Sequence, residues 1–177
     1  MRLFFGIFFV SMLASFSCFA QITLTLNSSM NFGSLMFDAT HSGSVTLGTN
    51  GSVGVSGTGL AHSGGGYAGN VSIEGSGEVV EIKCETSGQL SLQNNKIDIS
   101  ATEIVIDTGV SSGNGLACAG TKRNSPVVTT VDLSSNPTPE ILMGATLTID
   151  SNSLDSGQYN TSGGGGAKPI TINVVVQ

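Results

Sequence analysis

Tryptophan is missing from this sequence, proline occurs only 4 times, and charged side chains make up 10% of its 177 residues, against about a quarter in an average soluble chain. The 6 basic residues face 12 acidic ones, for a formal net charge of −6. So few cations could not displace the counterions of a phosphate backbone or an anionic bilayer, which excludes nucleic acid and anionic membrane surfaces as partners. Nor is the low charge a sign of disorder, because disordered chains pair low apolarity with high charge and this one is 39% apolar. Helical periodicity is also lacking after residue 20. What is abundant is glycine, 25 residues, with serine and threonine, in a length that suits one domain with a sizeable core. This is the composition of a β-rich extracytoplasmic protein.

Residues 1–20 have the layout of a secretory signal peptide: Arg2, then an apolar run from Leu3 to Phe16, then Cys18-Phe19-Ala20 ahead of a cut before Gln21. Acylation of Cys18 as a lipoprotein is the weaker alternative, since Ser15-Phe16-Ser17 does not make the approach a lipobox needs. The run is also short for a retained bilayer crossing. Cleavage would leave 177 − 20 = 157 residues with 12 acids and 5 bases, net −7. Its aromatics would be Phe32, Phe37, Tyr67 and Tyr159 alone. An outer-membrane barrel needs aromatic girdles and is expected to end on an aromatic where this chain has Gln177, which argues against that class. Base-stacking surfaces and aromatic sugar platforms are short of material for the same reason. Two cysteines, Cys84 and Cys118, would remain, and in an oxidising compartment the pair reads as one disulfide. Without a nearby His or a C-x-x-C spacing they do not suggest a zinc or redox site.

Period-two alternation runs through the rest of the chain: Ile22, Leu24, Leu26; Val45, Leu47; Val53, Val55; Val71, Ile73; Leu90, Leu92; Ile97, Ile99; Ile104, Ile106; Leu147, Ile149. The cleanest case is Ile170, Ile172, Val174, Val176, with Thr171 and Asn173 on the other face. About ten short strands separated by polar turns predict an all-β antiparallel sandwich. Two hairpins can be assigned a register. A turn at Asn94-Asn95 pairs Leu92 with Ile97 and Leu90 with Ile99. A three-residue loop, Thr49-Asn50-Gly51, pairs Leu47 with Val53 and Val45 with Val55 and puts Gly51 in the left-handed position. A two-residue loop would send the two apolar pairs to opposite faces. The 12 glycines of residues 43–77 and the four of residues 163–166 are expected in loops or bulges.

Chemistry-bearing motifs are few. Gly109-Val110-Ser111-Ser112-Gly113 spells a nucleophile elbow, but Asn114 to Gly120 read as loop where that motif needs a helix. His41 and His62 sit beside Ser and Gly in turn-like sequence, as solvated loop histidines do. Asp150, Asn152 and Asp155 resemble the opening of a calcium loop, yet Leu154 stands where an oxygen ligand belongs and no Glu closes it. Glu74, Glu78, Glu81 and Glu85 read in part as the wet face of a strand whose other face carries Val80 and Ile82. Asn27, Asn70 and Asn160 open glycosylation acceptor triplets. No catalytic residue, cofactor or metal ligand is nominated, and the chain reads as a non-enzyme.

Three stretches together carry a resemblance: Asn31-Phe32-Gly33 after an alternating strand, the glycine-rich middle, and Leu154-Asp155-Ser156-Gly157-Gln158-Tyr159 leading to the last strand. They resemble the bacterial secreted family catalogued as domain of unknown function forty-four-zero-two, and more distantly the subunits of chaperone–usher fimbriae. The resemblance implies an immunoglobulin-like, pilin-like sandwich in a single domain over residues 21–177. It also implies export to the periplasm or surface of a Gram-negative bacterium, and a place in surface fibres or cell adhesion. It would make residues 21–30 a donor extension with Ile22, Leu24 and Leu26 as knobs, and Ile170, Ile172, Val174 and Val176 the edge gripped by a periplasmic chaperone or usher. Other copies of the chain would be partners. Several features depart from the fimbrial pattern: the cysteines lie mid-chain, the penultimate position lacks a Tyr, and the extension lacks a Gly. Two alternatives stand beside it. Ile22 to Leu26 reads equally well as the first strand of a self-complete domain, and the whole as a stand-alone secreted or periplasmic binding module.

Overall fold

The structure, a computed structural model, describes residues 21–38, 41–84, 88–92, 95–99, 104–108, 116–118, 127–150, 157, 159 and 171–177. The proposed leader lies outside them, as do residues 109–113, Asn152, Asp155, Asn160, Ile170 and the glycine run at 163–166. Among the described residues there is no helix, and every strand pairing is antiparallel.

The strands are β1 (Thr23–Ser28), β2 (Ser34–Phe37), β3 (Ser42–Leu47), β4 (Val53–Gly57), β5 (Leu60–Ser63), β6 (Gly69–Glu74), β7 (Val79–Cys84), β8 (Gly88–Leu92), β9 (Asn95–Ile99), β10 (Ile104–Thr108), β11 (Leu116–Ala117), β12 (Val127–Asp132), β13 (Glu140–Asp150) and β14 (Ile172–Val176). They build a β-sandwich. A seven-stranded sheet runs β1-β6-β13-β10-β11, with β3 and then β4 added on β13. A three-stranded sheet, β12-β7-β14, packs on its inner face. Two small ribbons, β2-β5 and β8-β9, complete the pairing. Burying an apolar stripe from each sheet is what makes two layers stable where one would not be.

The axis of the large sheet is β13. It pairs with β6 through its first residues, with β3 through its last, and with β10 along the opposite edge. Its inward positions, Ile141, Met143, Ala145, Leu147 and Ile149, are all buried. They meet Val45 and Leu47 of β3, Ile73 of β6, and Val80, Ile82 and Cys84 of β7 in one core. Gly144 lies where β3 gives way to β6. A Cβ there would stand 2.2 Å from the Leu47 carbonyl oxygen, so the chains meet this closely only because the residue is glycine. Pro137 and Pro139 lead into β13, and their carbonyls accept from the amides of Gly75 and Ile73. Proline thus lies beside the sheet without having to donate to it.

The β3–β4 hairpin has the expected register: Leu47 opposite Val53, Val45 opposite Val55, and Gly51 at φ 79°. The Gly51 amide donates to Gly48 O, the Gly48 amide donates to Ser52 O, and Asn50 Oδ1 accepts from the Ser52 amide and hydroxyl. The second hairpin differs from expectation by two residues. Leu90, not Leu92, faces Ile97, and Leu92 faces Asn95. A two-residue slip keeps every side chain on its face. The apolar pattern therefore cannot choose between the registers, and the observed one puts buried Ile97 opposite half-buried Leu90. The glycine expectation also needs correction. Gly43, Gly54, Gly57 and Gly69 lie inside strands, and a Cβ at Gly43 would strike Ser56 O at 2.4 Å. Close packing of backbones, as well as turning, uses this glycine.

Candidate functional site

The disulfide joins Cys84, at the end of β7, to Cys118, just past β11, with Cα atoms 5.4 Å apart. Both cysteines are buried. The bridge therefore ties the three-stranded layer to the far flank of the seven-stranded one. Closing a loop of 34 residues stabilises by about 3–4 kcal/mol in the chain-entropy account.

The two terminal strands both lie at sheet edges. β1 pairs with β6 along one side, Leu24 opposite Ile73 and Leu26 opposite Val71, with a bulge at Asn27. Partners in an antiparallel pair share a face, so both leucines lie on the core side of the sheet. Ile73 is fully buried, yet Leu24 is 47% and Leu26 63% exposed. Only Ile22 of the three proposed knobs packs on the core. Among the described residues the covering layer has three strands against seven, and it leaves this flank unroofed. On the outer face the Asn27 amide donates to Asn70 Oδ1 at 3.1 Å and to Ser72 Oγ, and Asn70 Nδ2 donates to Glu140 Oε2 at 3.2 Å. Two of the three acceptor-triplet asparagines are thus engaged with each other.

β14 is the edge of the smaller sheet. Ile172, Val174 and Val176 stand opposite Cys84, Ile82 and Val80 of β7. The first two are half-buried against the core, while Val176 is 45% exposed. Ile170 lies outside the described residues. A polar clamp holds the strand's end: Gln177 N donates to Val79 O, and Gln177 Nε2 donates to Glu81 Oε1 at 2.8 Å. Lys83 Nζ sits 2.8 Å from Glu81 Oε2. The Lys83 contact first, and then that of Gln177, holds the Glu81 carboxyl below its ordinary range. Glu81 and Lys83 form the wet face expected opposite Val80 and Ile82. Elsewhere in the small sheet, Asp132 accepts from the Ser134 hydroxyl and amide after β12, which lowers its pKa in the same way.

The histidines do not behave alike. His41 precedes β3 with Nδ1 3.4 Å from Asp38 Oδ2. His62 belongs to β5, opposite Leu35, and is half-buried rather than a solvated loop residue. Asp150 ends β13, and no group of three potential metal-binding side chains occurs among the described residues. No helix among them is long and apolar enough to cross a membrane. Sequence reasoning missed a cleft where the sheet divides between β3 and β6, lined by Ser28, Asn50, Tyr67, Asn70 and Leu142 among others. Its only forewarning was Tyr67 itself, an aromatic in a run of glycine.

One family model, described as a domain of unknown function (DUF4402), matches residues 22–173. The chain belongs to this family. The match takes in β1 and the beginning of β14, so both edge strands fall within or across the family domain. No curated protein and no solved structure was found to match the chain.

Proposed function

We propose that this DUF4402 chain is an exported, non-enzymatic, pilin-like structural subunit that joins a bacterial surface assembly by β-strand addition. One observation carries the reading: on an edge strand near the N-terminus, Leu24 and Leu26 continue the face of buried Ile73 and yet stay exposed. An apolar stripe beside unpaired backbone groups is a liability in a monomer and a binding element in an assembly. In the proposed exchange β1 leaves its own β6 and takes the same register on β6 of the next copy. A head-to-tail contact of that kind does not close, and so builds a fibre. The free side of β14 would take the strand of a periplasmic chaperone. The leader-like first 20 residues support this reading.

The experiment is gel electrophoresis of the exported protein in detergent without boiling. A ladder that collapses on boiling is expected. Deletion of residues 21–28 should abolish it while leaving a domain that the same peptide stabilises when added in trans. A chain that folds equally well without the segment and forms no ladder with it overturns the proposal. The six-residue cis pairing of β1 favours a second reading, a self-complete secreted or periplasmic sandwich that acts as a binding module. That reading predicts a monomer throughout.

A further inference from the structure

We propose that the cleft between the β3–β4 turn and the approach to β6 binds one neutral pyranose unit of a saccharide. The cleft is a shallow, largely open depression of about 330 Å³, at the small end of the range for ligand sites. Its shape follows from the division of the large sheet. β3 pairs with β13 up to Ala145 and β6 takes over from Met143, so the turn at 48–52 and the segment at 66–68 come face to face. Both are glycine at the contact. A Cβ on Gly51 would lie 3.2 Å from Gly66 O, and one on Gly66 2.3 Å from Val53 Cγ2. Gly51 thus meets backbone, while Gly66 lies against the Val53 and Leu47 side chains as well as Gly51 O.

The side chains that line the cleft include two amides, two hydroxyls and one aromatic ring. Tyr67 is anchored through its backbone, since its amide donates to Asn31 O and its carbonyl accepts from Asn31 N at 2.8 and 2.9 Å. Its side chain is nevertheless 63% exposed, and no hydrogen bond engages its hydroxyl among the described residues. A ring fixed at its root and open at its face suits the C–H face of a sugar, at little entropic cost on binding. Around it, Asn50 has its oxygen occupied by Ser52, which leaves the Nδ2 donors. Ser28 Oγ donates to Ala68 O at 2.9 Å and keeps its lone pairs as acceptors. Leu142 adds apolar surface.

Charge decides the ligand class. The lining holds no charged residue, and the nearest ionic group the lining bonds to is Glu140, through Asn70 Nδ2. An anionic ligand would meet a carboxylate and no cation. A neutral polyhydroxylated ring would meet donors, acceptors and a stacking face together. One tyrosine is too little for an extended sugar platform, as composition already indicated, but it is enough for a single ring. The site does not depend on strand addition, because β1 contributes only Ser28.

The test uses the uniformly labelled mature protein and NMR titration with methyl glycosides of glucose, galactose, mannose and N-acetylglucosamine, beside methyl glucuronoside. Saturable shifts confined to Asn50, Gly51, Tyr67, Ala68 and Asn70 are expected for at least one neutral glycoside. Tyr67→Ala should weaken that binding about tenfold. Tyr67→Phe, which keeps the ring, should stay within about threefold. The same spectra report whether each variant is folded. No saturable shift with any neutral glycoside, or unchanged binding in Tyr67→Ala, overturns the site. Equal binding of the glucuronoside overturns the neutral-ligand assignment.

Discussion

β13 and β1 carry the same alternating pattern and meet opposite fates. In β13 five inward apolar positions are buried, because strands lie on both sides of it and a second sheet lies over it. In β1 two inward leucines face solvent, because among the described residues one side has no strand partner and the covering layer stops short. The pattern gives each residue's parity along a strand. Whether the inward side is covered depends on how many strands the opposite layer contains. Among the described residues the flank of β1 is thus where the core side of the large sheet is least covered, and the centre of β13 where it is most covered.

Truncation at the two places should separate them most sharply. Leu147→Ala is expected to cost about 3–5 kcal/mol, the range for a buried leucine whose cavity cannot collapse, read as a lowered denaturant midpoint. A loss under about 1 kcal/mol would contradict the core assigned to β13. Replacing both cysteines, Cys84→Ala with Cys118→Ala, should cost about 3 kcal/mol. Reductant should lower the melting temperature of the native chain to a similar extent and leave the double variant unmoved. Leu26→Ala should cost the monomer less than about 0.5 kcal/mol, as befits an exposed side chain. The same substitution should weaken any ladder of subunits, and a stability loss as large as that of Leu147→Ala would show that β1 is covered in the monomer after all.

The smallest expected effect is on pH dependence. Glu81 and Asp132 both have folded pKa values below their ordinary 4.5 and 3.8. Their stabilisation is therefore fully present above those unfolded values and lost as the pH falls through the lower folded ones. Thermal melts should be flat in this respect above about pH 5 and decline gently below about pH 4. Both groups are solvent-accessible, so the decline should be shallow. Glu81→Gln should remove part of it and loosen Gln177 from β7, which hydrogen exchange at the β14 amides would detect.

The legibility of the sequence varied with the kind of information each feature needs. The β3–β4 hairpin was readable because a one-residue error would have exposed Val45 or Leu47, and Gly51 fixed the loop. The β8–β9 register was not, because a slip of two leaves parity intact. Much of β13 went unremarked before residue 147, although Ile141, Met143 and Ala145 extend the same alternation. Small Ala145 and Gly144 weaken the signal, and the close approach of the Leu47 carbonyl oxygen explains the glycine. The disulfide was legible because only Cys84 and Cys118 lie beyond the leader-like first 20 residues. The cleft had no linear signature, since its walls come from β1, the β3–β4 turn, the approach to β6, and β13.

Taken alone, the amino-acid order determined an all-β chain, the parity of its strands, one hairpin's register and, beyond residue 20, the pair Cys84 and Cys118 as candidates for a disulfide. Those are properties of neighbours a few residues apart, or of a small count. Tertiary structure decided which stripes are covered, which strands end as edges, where the sheet divides, and which glycines serve close approach. Each of these depends on surfaces supplied by segments tens of residues away, and local sequence does not encode what will lie opposite.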